Sequence, residues 1–112
     1  MKIYHNPRCS KSRETLGIIQ DAGKPVEIIE YLKELPSKAE LASLLKNLGL
    51  KAEQIIRKGE ADFKENFKGK VLSEDEWLDA MVKFPKLMER PIVVKGNRAV
   101  LGRPPRNVVE LF

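Results

Sequence analysis

The chain of 112 residues is 42% hydrophobic and 33% charged, a balance that suits one soluble globular domain with a core of its own. No apolar run approaches the roughly 20 residues that cross a bilayer, and no signal-peptide core opens the chain. A single cysteine excludes an internal disulfide and any multi-cysteine zinc site, and a formal charge of +5 favours anionic partners.

Lys2-Ile3-Tyr4-His5 reads as a short buried strand, ended by the Asn6-Pro7 turn signal. From about Ser10 the apolar residues Leu16, Ile19 and Ala22 recur at helical spacing, and Gly23 supplies the stop. A second strand follows Pro25, over Val26 to Leu32. Strand, helix and strand within about 30 residues imply a right-handed crossover to a parallel neighbour.

The middle of the chain is helical. Ser37 and Glu40 form a capping box that opens a helix through Leu41, Leu44, Leu45 and Leu48, closed by Gly49. A shorter helix is expected from Ala52 to Lys58, and another through Phe63 to Phe67. A second capping box, Ser73 with Glu76, starts a helix carrying Trp77, Leu78, Met81 and Val82 and stopped by Pro85, with Trp77 as core cover. Pro91 to Val94 and Arg98 to Leu101 then make a β-hairpin around a glycine-containing turn. Pro104-Pro105 opens a last helix through Val108, Val109 and Leu111. The fold class is α/β: a four-stranded mixed sheet with flanking helices and a helical insert at about residues 37–86, all in one domain spanning 1–112.

The chemistry concentrates in HNPRCSKSR, which holds the only cysteine and the only histidine. A thiol is a useful nucleophile only as thiolate. Cys9 lies where a strand hands over to a helix, so unpaired backbone N–H groups and the helix dipole favour negative charge there. The hydroxyls of Ser10 and Ser12 are within reach of the sulfur, and Arg8, Arg13 and a protonated His5 would add positive potential. The same N–H groups would cradle an oxyanion. A Cys-based phosphatase loop is excluded, because the position that should carry its arginine is Thr15. A C-x-x-C dithiol is excluded too, because Ser12 replaces the second cysteine, so any disulfide formed in turnover must be with another molecule.

The stretches IYHNPRCSKSRETL, YL…P, IIRKGE, ERPIVV and LGRPP run the length of the chain, and together they resemble the glutaredoxin-coupled arsenate reductases (ArsC), on their chromosomal, arsenate-reductase-like branch. That resemblance implies a thioredoxin-like fold. It implies Cys9 as the catalytic nucleophile, His5 and Ser12 as neighbours that favour the thiolate, Arg57, Arg90 and Arg103 as oxyanion ligands, and Pro91 in cis form beside the cysteine. It further implies arsenate or a similar oxyanion as substrate, glutathione as co-substrate with no bound cofactor and no metal, and glutaredoxin as partner. A cytoplasmic monomer is expected. Ser10-Lys11 departs from the small Gly-Thr-like pair of the resistance-operon enzymes. The alternatives are an Spx-like regulator that binds RNA polymerase, for which the C-x-x-C switch is missing, and a glutathione-linked reductase of another substrate. Nucleic-acid binding finds no support in a chain with 6% aromatic residues and no recognised motif.

Overall fold

Strand β1 (Lys2–His5) is covered on both faces, with the consecutive residues Ile3, Tyr4 and His5 all buried and only Lys2 exposed. The computed structural model describes residues 1–112 and divides them into two compact units, residues 1–34 with 90–112, and residues 35–89.

In the first unit, helix α1 (Ser10–Asp21) leads from β1 to strand β2 (Glu27–Glu30), and Gly23, at φ 69°, ends the helical run. Strands β3 (Ile92–Lys95) and β4 (Arg98–Leu101) form the hairpin. Its two-residue loop has positive φ only at Gly96, the φ signs of a type II′ turn, whose twist matches that of the strands it joins. The sheet order is β2-β1-β3-β4, with β1 parallel to β2 and the other pairs antiparallel. This is the thioredoxin-like mixed sheet expected from the sequence.

Register places Ile3 beside Val93, and both point into one apolar cluster with Ile19 of α1 and with Val108 and Leu111. Each side chain fully buried there contributes roughly 1.5–3 kcal/mol. The cluster anchors α1 on the sheet and so fixes where its N-terminus lies. Strand β2 is shorter than expected: Tyr31 already belongs to a turn, and Leu32 is exposed.

The last helix is of 3-10 type, Pro105–Leu111. Its buried residues, Pro105, Val108 and Leu111, are spaced by three, which is the period of that tighter helix, and Val109 is left exposed.

The second unit is helical: α2 (Lys38–Leu48), α3 (Ala61–Asn66) and α4 (Glu74–Lys83), with short 3-10 turns at Ala52–Ile55 and Pro85–Leu87. Ser37 caps α2 by accepting from the Glu40 amide, and Ser73 and Glu76 make a reciprocal capping box on α4. Trp77 is buried, its ring stacked with Phe63 at 6.2 Å between centroids. Val82 faces solvent rather than the core. The helix expected from Ala52 to Lys58 is a single 3-10 turn. Gln54 folds its side chain back onto the Lys51 amide, and Ile56 then turns extended to pair antiparallel with Met88. The Arg57 amide donates to Leu87 O and the Glu89 amide to Ile55 O, so Arg57 sits on a paired extended segment, not on a helix. No helix is long and apolar enough to cross a membrane.

Candidate active site

Cys9 is the N-cap of α1. Its backbone is extended, its amide donates to Asn6 O at 3.0 Å, and its carbonyl accepts from the Arg13 amide at 3.0 Å, the first bond of the helix. No acidic residue occupies the first turn, so no carboxylate competes for the positive end of the helix dipole. The side chain is buried, 8% exposed, yet its surroundings are polar.

Burial pushes the Cys9 thiol up. The Ser12 amide, a hydrogen bond and the charge from Arg90, and the Lys11 amide pull it down, and the balance leaves the thiol below its ordinary value. Arg103 adds a second guanidinium, its Nη2 3.8 Å from the sulfur. The two arginines are tied together, because Arg103 Nε donates to the main-chain carbonyl of Arg90 at 2.8 Å. Arg90 Nε is buried and has no hydrogen-bond partner.

The peptide bond between Arg90 and Pro91 is cis, as expected. So is the one between Arg103 and Pro104.

Two expectations need correction. The Ser12 hydroxyl does not serve the sulfur. It lies 2.6 Å from His5 Nδ1 and accepts from the Asn6 amide at 3.0 Å, and the amide of Ser12, not its side chain, holds the thiol. His5 does not supply positive charge. Burial lowers its pKa, with Glu30 opposing and Arg13 reinforcing, so the buried imidazole is neutral at pH 7. His5 acts instead on loop geometry, by fixing the Ser12 side chain. Ser10, Arg8 and Arg13 are exposed, and Arg13 Nη1 donates to Pro7 O at 2.9 Å. None of the three is among the groups that hold the sulfur.

The first unit therefore brings together Cys9, His5, Ser12, Arg90, Pro91 and Arg103. Arg57 belongs to the second unit, where its guanidinium donates to Glu60 at 2.6 Å and lies 3.6 Å from Glu89. Sequence reasoning missed the two amides of Ser12 and Lys11. Their positions in the first turn after an N-cap cysteine are the signal that could have found them. No grouping of His, Cys, Asp and Glu offers a metal site.

A sequence model of the ArsC family matches residues 4–111, from β1 through the last helix. The chain belongs to the ArsC family. It is 49% identical over 113 residues to the uncharacterized protein YfgD of Escherichia coli (strain K12), covering 99% of this chain and 95% of that one. It is 41% identical over 112 residues to an arsenate reductase of Haemophilus influenzae, covering 98% of this chain and 97% of the relative. The structure of an arsenate reductase from Vibrio cholerae superimposes with a TM-score of 0.93 at 45% identity, covering 100% of this chain and 98% of that one.

Proposed function

We propose that this chain is an arsenate reductase that uses glutathione and glutaredoxin, with Cys9 as the only thiol it contributes. One observation carries the reading: a single buried sulfur at a helix N-terminus, its pKa lowered by the Ser12 and Lys11 amides and by Arg90, with the Arg103 guanidinium 3.8 Å away. Such a ring suits a tetrahedral oxyanion, because planar guanidinium forks bind its oxygens two at a time while the helix N-terminus offers N–H groups. The activity named for the Haemophilus influenzae relative, alike over nearly the whole length of both chains, points to arsenate as the anion.

In the proposed sequence the Cys9 thiolate forms a sulfur–arsenic bond, and one arsenate oxygen leaves as water after taking up protons. Arg90 and Arg103 neutralise the remaining oxygens, so that an anion can be attacked by an anion. Glutathione then bonds its sulfur to that of Cys9. The electron pair of the sulfur–arsenic bond stays on arsenic, As(V) becomes As(III), and arsenite leaves a mixed disulfide. A glutaredoxin thiol takes over the glutathione and returns Cys9 as thiolate. Overall, arsenate and two thiols give arsenite, water and one disulfide. Arg57 is proposed as a further anion ligand on the strength of its IIRKGE motif. His5 needs no general-base role, because a pre-formed thiolate has no proton to lose.

The test is arsenate-dependent NADPH oxidation in an assay coupled through glutaredoxin, glutathione and glutathione reductase. Turnover that vanishes in Cys9→Ser is the expected result. Folded wild-type protein with no turnover above background overturns the proposal.

A further inference from the structure

Gly102 is the one glycine of the chain that is held by its neighbours rather than by its backbone angle. A Cβ placed there would lie 2.5 Å from Thr15 Oγ1 and 2.6 Å from Pro91 Cγ, closer than real Cβ contacts essentially ever come, and 3.0 Å from Thr15 Cγ2, a tight contact. The other six glycines have nothing within 4 Å of such an atom. Gly102 is buried, and its amide donates to Pro91 O at 2.9 Å. Thr15, fully buried on α1, donates through Oγ1 to Lys11 O at 2.8 Å, with Gly102 O 3.4 Å from the same oxygen.

Three backbone segments thus meet at one bare Cα: the start of α1, the cis-Pro91 turn, and the exit of β4. Each carries a piece of the site, namely Cys9, Arg90 and Arg103. Arg103 is the next residue after Gly102, and it reaches both Arg90 O and the Cys9 sulfur.

We infer that Gly102 is a positioning residue whose missing side chain, seated against Thr15 and Pro91, sets the spacing between the Arg103 guanidinium and the Cys9 sulfur. A methyl group at 102 must move the β4 exit away from α1 or push Pro91 aside. Either shift spoils the alignment of Arg103 or Arg90 on the thiol, because hydrogen bonds weaken steeply with lost distance and angle and the packed surroundings leave little room to restore them. The inference rests on the reading of Cys9 as an activated thiolate, and its test separates the two.

The experiment measures the ionisation of Cys9, by thiolate absorbance and by the rate of alkylation with iodoacetamide across pH, in wild type, Gly102→Ala, Thr15→Ala and the double variant, with folding checked by circular dichroism. Gly102→Ala is expected to raise the thiol pKa, slow alkylation at pH 7 about tenfold, and weaken protection by arsenate. Thr15→Ala removes the wall on which residue 102 rests and is expected to shift the thiol in the same direction by less. The double variant removes the Thr15 hydroxyl and methyl that the new Cβ would strike, and recovery of part of the lost reactivity is expected. A simple loss of stability would lower the melting temperature without moving the thiol pKa of the folded protein.

A folded Gly102→Ala with wild-type thiol ionisation and arsenate protection overturns the inference and leaves the thiolate reading standing. Should Gly102→Ala fail to fold, an unchanged thiol in Thr15→Ala does the same, and a raised one supports the spacing role. An ordinary thiol pKa in the wild type overturns both.

Discussion

Arg103 donates through Nε to the main-chain carbonyl of Arg90 at 2.8 Å while its Nη2 lies 3.8 Å from the Cys9 sulfur. One guanidinium therefore spans two jobs, orientation and charge, through different faces of a rigid fork. Lysine keeps the charge but has one nitrogen for both tasks. Arg103→Lys is expected to raise the thiol pKa and to lower kcat/KM for arsenate by about 10- to 100-fold, the worth of a lost charge-assisted hydrogen bond. Arg90→Lys should do the same, and the double variant should cost less than the two losses multiplied, because each arginine helps place the other. Steady-state kinetics on the four proteins check this, and simple multiplicativity would contradict the link.

The lowered Cys9 thiol ties stability to pH. The folded pKa lies below the unfolded one, ordinarily 9.0, so between the two values the unfolded chain binds more protons and stability rises with pH. The contribution is complete above the unfolded value and is lost as pH falls through the folded value. Wild type should therefore gain stability over Cys9→Ser as pH is raised toward 9, and the gap should close on acidification. Urea unfolding of both proteins at several pH values tests the sign, and a gap that widens toward acid would refute the depressed thiol.

The frame of this site was legible in the sequence because it follows local rules. The Asn6-Pro7 turn, the helical spacing of Leu16 and Ile19, and the hairpin around Gly96 put Cys9 at a strand-to-helix junction. What escaped was set by tertiary choice. Ser12 could have turned its hydroxyl to the sulfur or to His5, and only the packing of α1 on β1 decides for His5. The residues after Ala52 carry helix formers, yet backbone pairing of Ile56 with Met88, 32 positions later, overrides them. In the last helix the three-residue spacing of Pro105, Val108 and Leu111 was present in the sequence, but a short run cannot separate that period from 3.6.

Ser12→Ala separates the amide from the hydroxyl. Alanine keeps the N–H that holds the sulfur but strips a buried oxygen from His5 Nδ1 and from the Asn6 amide. Stability should fall by about 1–3 kcal/mol, the range for leaving buried polar groups unsatisfied. The thiol pKa should move little. A large upward shift in a folded Ser12→Ala protein would return the hydroxyl to the role that the structure denies it.

Arg57 is a quarter exposed and already faces two carboxylates, Glu60 and Glu89. If it binds the oxyanion as its motif implies, Arg57→Ala should raise KM for arsenate several-fold while the Cys9 thiol stays as reactive toward iodoacetamide as in wild type. Alkylation in the absence of anion reads the thiol, and kinetics read the anion. A variant with unaltered KM would assign Arg57 to its carboxylate partners alone.

His5 gives the acid side of the pH profile. Burial keeps its imidazole neutral, Glu30 pulls the other way, and Arg13 adds to the burial, so the folded pKa sits below the ordinary 6.5. Between the folded value and 6.5 the unfolded chain binds more protons, and stability rises with pH across that window. Wild type should therefore lose stability as pH drops below about 6.5. His5→Gln can keep a hydrogen bond to the Ser12 hydroxyl but cannot titrate, so its stability should be flatter over the same range. Urea midpoints at pH 7.5 and pH 5 compare them, and a variant as acid-sensitive as wild type would place the titrating group elsewhere.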